Sequence, residues 1–75
     1  MMTLNQIEIG QCVTIKKIKS KSKSRMYDLG MIPGSSIIKK RNSPLGDPCA
    51  YEIKGTLIAL RNEDALEIVV EWLFH

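Results

Sequence analysis

In eleven residues, Arg25-Met26-Tyr27-Asp28-Leu29-Gly30-Met31-Ile32-Pro33-Gly34-Ser35, the chain specifies a helix, its stop, a tight turn and the start of a strand. Met26 and Leu29 are three apart and share a helical face, with Ser24 or Ser22 placed to cap the N-terminus. Gly30 suits the left-handed residue that closes a helix. Ile32 precedes proline and is held extended, and Pro33 and Gly34 fit the two central positions of a type II turn. The helix here is a single short turn, and beyond it the chain must reverse direction into a strand.

Short strands surround this element. Gln11 to Ile18 alternates, Val13 and Ile15 against Thr14 and Lys16, and Ile18 falls out of phase, which places a bulge or a strand end near Lys17. Lys19 to Ser24 alternates lysine with serine, has nothing apolar to bury, and reads as a solvated loop tip. Ser35 to Arg41 carries Ile37 and Ile38 into a basic cluster, Lys39, Lys40 and Arg41, and residues 42–48 are rich in turn formers. Cys49 to Lys54 alternates again, Gly55 reads as a hairpin turn or kink, and Thr56 to Arg61 presents Leu57, Ile58 and Leu60 as its apolar side. Asn62 is a good N-cap for a brief helical turn in which Glu63 and Asp64 complement the helix dipole. Ile68, Val69 and Val70 then lead a last strand that ends near Glu71 or Trp72. Five short strands at this spacing, with one or two short helices, predict a mainly β fold, a small β-barrel, in a single domain over residues 1–75.

A chain of 75 residues buries only about 60% of the surface its unfolded form exposes, so the core is thin. Its 44% hydrophobic and 25% charged content are those of an ordinary globular protein. No run approaches the roughly 18 apolar residues of a membrane span, and no basic segment with an apolar core opens the chain, so a cytoplasmic protein is expected. The net charge of +3 is unevenly placed: Lys16 to Arg25 is basic, whereas Glu63, Asp64, Glu67 and Glu71 make the C-terminal part acidic. Cys12 and Cys49 stand far apart and read as free thiols. With His75 they fall short of the roughly four close-spaced ligands of a structural zinc site.

Catalytic chemistry finds little support. The only histidine is the terminal residue, the serines lie in basic loops without a base nearby in sequence, and no carboxylate pair marks a buried surface. No GxGxxG or Walker pattern occurs, so the glycines at 30, 34, 46 and 55 read as turn residues. A lysine-rich loop on a small barrel could contact phosphates, but aromatic content of 5% supplies a poor stacking platform, and the loop reads better as solvated. Met26 and Met31 read as apolar packing rather than as soft metal ligands. Trp72 and Phe74 either cover one end of the barrel or form an apolar tail.

Three motifs in order carry a resemblance: R-M-Y-D-L-G-M-I-P-G-S at 25–35, S-P-L-G-D-P at 43–48, and Y-E-I-K-G-T-L-I-A-L-R-N-E-D-A at 51–65. Together they resemble the FeoA family, the small cytosolic component of bacterial ferrous iron transport. Arg25, Asp28, Leu29, Gly30, Pro33, Gly34, Gly46, Asp47, Pro48, Gly55, Leu60, Arg61 and Ala65 match the family pattern, over nearly the whole chain from about Leu4 to Val70. Met26 and Tyr27 depart from it, standing where leucine or another aliphatic is commoner, and the Lys-Ser run is more basic.

The resemblance implies an SH3-like β-barrel and a non-enzymatic accessory role: binding and regulating the FeoB-type membrane transporter, whose cytosolic G-domain hydrolyses GTP. It also implies a cytoplasmic location, held at the inner face of the membrane only through that partner. The same barrel closes iron-dependent repressors of the DtxR type, where it serves protein contacts and in some cases contributes metal ligands. The alternative reading is therefore an iron-sensing barrel that binds Fe2+ or Mn2+ weakly, through unassigned ligands. A nucleic-acid-binding barrel comes after it. For a protein partner the expected anchors are Tyr27, Leu29 and Met31, with Arg25 and Lys19, Lys21 and Lys23 as an electrostatic rim. Asp28 is expected to hydrogen-bond at the helix end, and Arg61 to pair with a carboxylate inside the fold.

Overall fold

A computed structural model of the chain describes residues 2–19 and 23–73. The expectations for Lys21 as a rim charge, Ser22 as a cap, and Phe74 and His75 at the terminus lie outside the described residues.

Six strands form one antiparallel sheet: β1 (Met2–Thr3), β2 (Cys12–Ile18), β3 (Ser36–Asn42), β4 (Cys49–Ile53), β5 (Thr56–Leu60) and β6 (Ile68–Trp72). Their order across the sheet is β1-β6-β2-β3-β4-β5. A short α1 (Lys23–Asp28) joins β2 to β3, and a single turn, α2 (Asn62–Ala65), joins β5 to β6. The five strands read from the sequence are present, and the mainly β expectation holds. β1 is an addition, and the sheet does not close, because β1 and β5 remain its two edges.

Alternation decides which side of each strand is buried. Val13, Ile15, Ile37, Tyr51, Ile53, Leu60, Ile68 and Val70 line the inner face and are buried, together with Leu4, Ile7, Met26 and Met31. The expected irregularity near Lys17 is a register shift between Ile15 and Lys17 in the β2–β6 pair. A second shift between Lys39 and Arg41 bends β3 against β4, and bulges of this kind curve a sheet around its core.

Lys39, read only as part of a basic cluster, lies on the inner face because it stands two residues after buried Ile37 in β3. Lys39 pairs with Tyr51 on the inner side and is buried, and its Nζ donates to the Ile7 carbonyl at 3.2 Å. Three further corrections concern helix ends and strand faces. Ser24 lies inside α1, so the Lys-Ser run is helical from Lys23 onward. Arg61, not Asn62, occupies the N-cap of α2. Leu57 is exposed, leaving Leu60 and half-buried Ile58 as the apolar side of β5.

Candidate functional site

The end of α1 shows why the punctuated stretch folds as it does. Gly30 takes φ +88°, its N–H donates to the Tyr27 carbonyl at 2.9 Å, and the Met31 N–H donates to the Met26 carbonyl at 3.0 Å. These are the two bonds of a Schellman stop, in which the residue after the glycine packs against the residue five positions earlier. Met26 and Met31 are accordingly both fully buried. This corrects the expectation that Met31 anchors a partner: the motif that ends the helix turns its side chain into the core.

The apolar side chains left outside are Tyr27, Leu29 and Ile32, at 41%, 39% and 40% exposure. Ile32 was not among the expected site residues, because its place before Pro33 signals an extended backbone and not the direction of its side chain. The four-residue turn that begins at Ile32 fixes the patch. The Ser35 N–H donates to the Ile32 carbonyl at 3.0 Å with Gly34 at φ +96°, the expected type II turn. Gly34 N–H donates to the Ile15 carbonyl, and Ile15 N–H to the Ser35 carbonyl, both at 2.8 Å, so the turn is pinned to β2.

The other motif residues converge on α2. Arg25 Nη1 stands 3.2 Å from Asp64 Oδ2, a carboxylate that is buried while the guanidinium is largely exposed. The contact is close enough for an ion pair but not aligned as a hydrogen bond, since Oδ2 has no hydrogen-bond partner among the described residues. Asp47 Oδ1 accepts from the Asn62 backbone N–H at 2.9 Å, which supplies α2 with the cap its own N-cap residue does not. Asn62 Nδ2 donates to the Gly46 carbonyl at 3.2 Å, and the buried Cys49 thiol lies 3.4 Å from the same carbonyl. Gly46 has φ +83°, and the Asp47–Pro48 bond is cis. Arg61, expected to find a carboxylate inside the fold, is exposed and in no ion pair among the described residues; Arg25 makes that contact instead. Asp28 is exposed at the end of α1, and no side-chain hydrogen bond from it is among those of the described residues.

Apart from buried Lys39, the other basic side chains among the described residues are exposed or singly paired. Lys16 pairs with Glu71 at 3.5 Å and Lys40 with Glu52 at 3.6 Å, while Lys17, Lys19 and Lys23 are exposed. Cys12 and Cys49 are free thiols. Among the described residues no group of three or more His, Cys, Asp or Glu comes together where it could hold a metal ion, and no helix is long and apolar enough to cross a membrane.

Comparison with known proteins places this geometry. The FeoA domain model matches residues 2–71. A curated relative, the Fe(2+) transport protein A/Fe(2+) transporter FeoB fusion protein of Porphyromonas gingivalis, is 31% identical over 72 residues, which cover 93% of this chain and 8% of the relative. The chain thus spans less than a tenth of that relative's length. The solution structure of a FeoA-like protein from Clostridium acetobutylicum is 33% identical, with a TM-score of 0.89, over 99% of this chain and 88% of the other. The zinc complex of FeoA from Stenotrophomonas maltophilia, a prokaryotic SH3 domain protein, superposes with a TM-score of 0.83 at 22% identity, over 95% of this chain and 91% of the other. The fold is therefore SH3-like, with an open sheet.

Proposed function

The chain belongs to the FeoA family, which is associated with ferrous iron transport, and from that premise we propose that it acts as an accessory domain that binds and regulates a FeoB-type membrane transporter. The observation that carries this reading is the relative in which a FeoA segment and the transporter are one polypeptide. Two parts held in one chain are held at a high effective concentration. A separate chain needs a surface to restore that proximity.

The surface proposed is Tyr27, Leu29 and Ile32, held out by a helix stop and a pinned turn, with Arg25, Lys19 and Lys23 around it. Amphipathic anchors on a rigid element lose little entropy on binding, and rim charges steer the encounter. The α2 network serves this surface at second hand, because the Arg25 contact to Asp64 ties α1 to the body of the domain. On this reading the transporter's cytosolic G-domain is the partner, and the domain works inside the cell at the membrane's inner face.

A pull-down of the chain against that G-domain, with and without GTP, tests the proposal. Retention of the wild type and its loss in Leu29→Arg, with the variant still folded, supports it. A folded Leu29→Arg that binds as well as the wild type overturns the assigned surface, and no retention in either nucleotide state overturns the partner.

A further inference from the structure

Exposed sheet edges are normally blunted by charge, proline, a bulge or a covering element, because their free N–H and C=O groups template another strand. β5 reads Thr56-Leu57-Ile58-Ala59-Leu60, without charge or proline, and pairs with β4 along its whole length without a register shift. It is the last strand of the sheet, and none of its backbone groups bonds to another described segment. Leu57 is 49% exposed and Ala59 is exposed on the same outer side. Leu57 also ends a cross-strand row through Glu52 and half-buried Ile38, so an added strand would extend an existing face. Lys54 and Arg61 flank the strand, both exposed and in no ion pair among the described residues.

We propose that β5 is a docking edge for an extended segment of another protein, added as a further strand, with apolar side chains at alternate positions beside Leu57 and Ala59 and acidic residues at its ends near Lys54 and Arg61. Main-chain hydrogen bonds give such an addition its affinity, and the alternating side chains and flanking charges give it selectivity. Charge argues against a second copy of this chain as the occupant. With a two-fold axis on Ile58, Arg61 of each copy would stand opposite Gly55 and beside Lys54 of the other, and like charges at such positions destabilise strand pairing. The edge shares no residue with the Tyr27, Leu29 and Ile32 patch, so it goes beyond the transporter docking proposed there and is tested apart from it.

The test uses the isotopically labelled full chain and three synthetic peptides at millimolar concentration. One is Glu-Asp-Val-Thr-Val-Thr-Val-Asp-Glu; the second has lysine at the four flanking positions; the third is the first with two adjacent central amides N-methylated, which blocks both of its edges. The first peptide is expected to shift the amide resonances of residues 56–60 and to slow their hydrogen exchange by about tenfold, as for amides that become hydrogen-bonded. The lysine-flanked and N-methylated peptides are expected to do neither, and a folded Lys54→Glu, Arg61→Glu double variant is expected to prefer the lysine-flanked one. The proposal is overturned by no protection of residues 56–60 with the first peptide, or by equal binding of all three. Sedimentation showing a dimer whose formation alone protects β5 would equally overturn it, since the edge would then belong to a second copy.

Discussion

Tyr51 carries its hydroxyl into the core, where no hydrogen-bond partner for it is present among the described residues. Burial, reinforced by the nearby Cys49 and Asp47, pushes its phenol up from 10.0 to about 12. The unfolded chain ionises this group first, so between pH 10 and about 12 the unfolded state holds fewer protons than the folded one, and stability falls as pH rises through that window. Below pH 10 the contribution is complete. Tyr51→Phe is therefore expected to flatten the loss seen in urea titrations between pH 10 and 12. It should leave stability at pH 7 unchanged, or raise it by about 1 kcal/mol, since no hydrogen bond is lost. Met31 and Leu29 make a second contrast between residues two apart. Met31→Ala empties a fully buried site and should cost about 2–5 kcal/mol in chemical denaturation, whereas Leu29→Arg should stay within about 1 kcal/mol of the wild type. Equal costs would place Leu29 in the core.

At the scale of the element, the helix stop after α1 depends on one backbone conformation. A Cβ on Gly30 would meet nothing within 4 Å, so space does not require the glycine; its φ of +88° does. Gly30→Ala should cost about 1–2 kcal/mol by thermal unfolding, and Gly30→Asn less, because asparagine tolerates the left-handed region. α2 has four residues and cannot stand alone as a helix. Its cap comes from Asp47, fifteen positions earlier in the chain. Asp47→Ala should lower stability by about 1 kcal/mol and speed exchange of the Asn62 amide, while the amides of β2 and β6 keep their protection. The Gly-Asp-Pro motif and the Arg-Asn-Glu-Asp-Ala motif thus prove to be two halves of one contact, and Arg25 from the first motif adds the ion pair at Asp64.

At the scale of the whole molecule, the proposed patch at the end of α1 and the open edge at β5 share no residue. If Arg25, Lys19 and Lys23 guide a transporter domain to the α1 patch, raising ionic strength from about 0.05 M to about 0.5 M should slow association far more than dissociation. The range over which charges act shrinks to a few ångströms over that interval. Stopped-flow mixing with the G-domain measures this, and a salt-independent on-rate would remove the rim from the proposal. The sequence by itself determined the elements: alternation placed β2 and β4, short apolar runs between turn residues placed β3, β5 and β6, and Gly30, Pro33 and Gly34 set the stop and the turn, because these signals act through bonds between near neighbours. The three motifs also carried the family, since their order and spacing survive without any knowledge of contacts. Only the tertiary structure decided the rest. β1 is two residues long, too short to show a period, and exists because β6 lies beside it. Whether Arg25 or Arg61 meets the buried carboxylate depends on α1 and α2 coming together across the chain. The open β5 edge likewise depends on which distant strands pair, whereas the inward turn of Met31 and the inner-face position of Lys39 follow from the local helix stop and from alternation with Ile37.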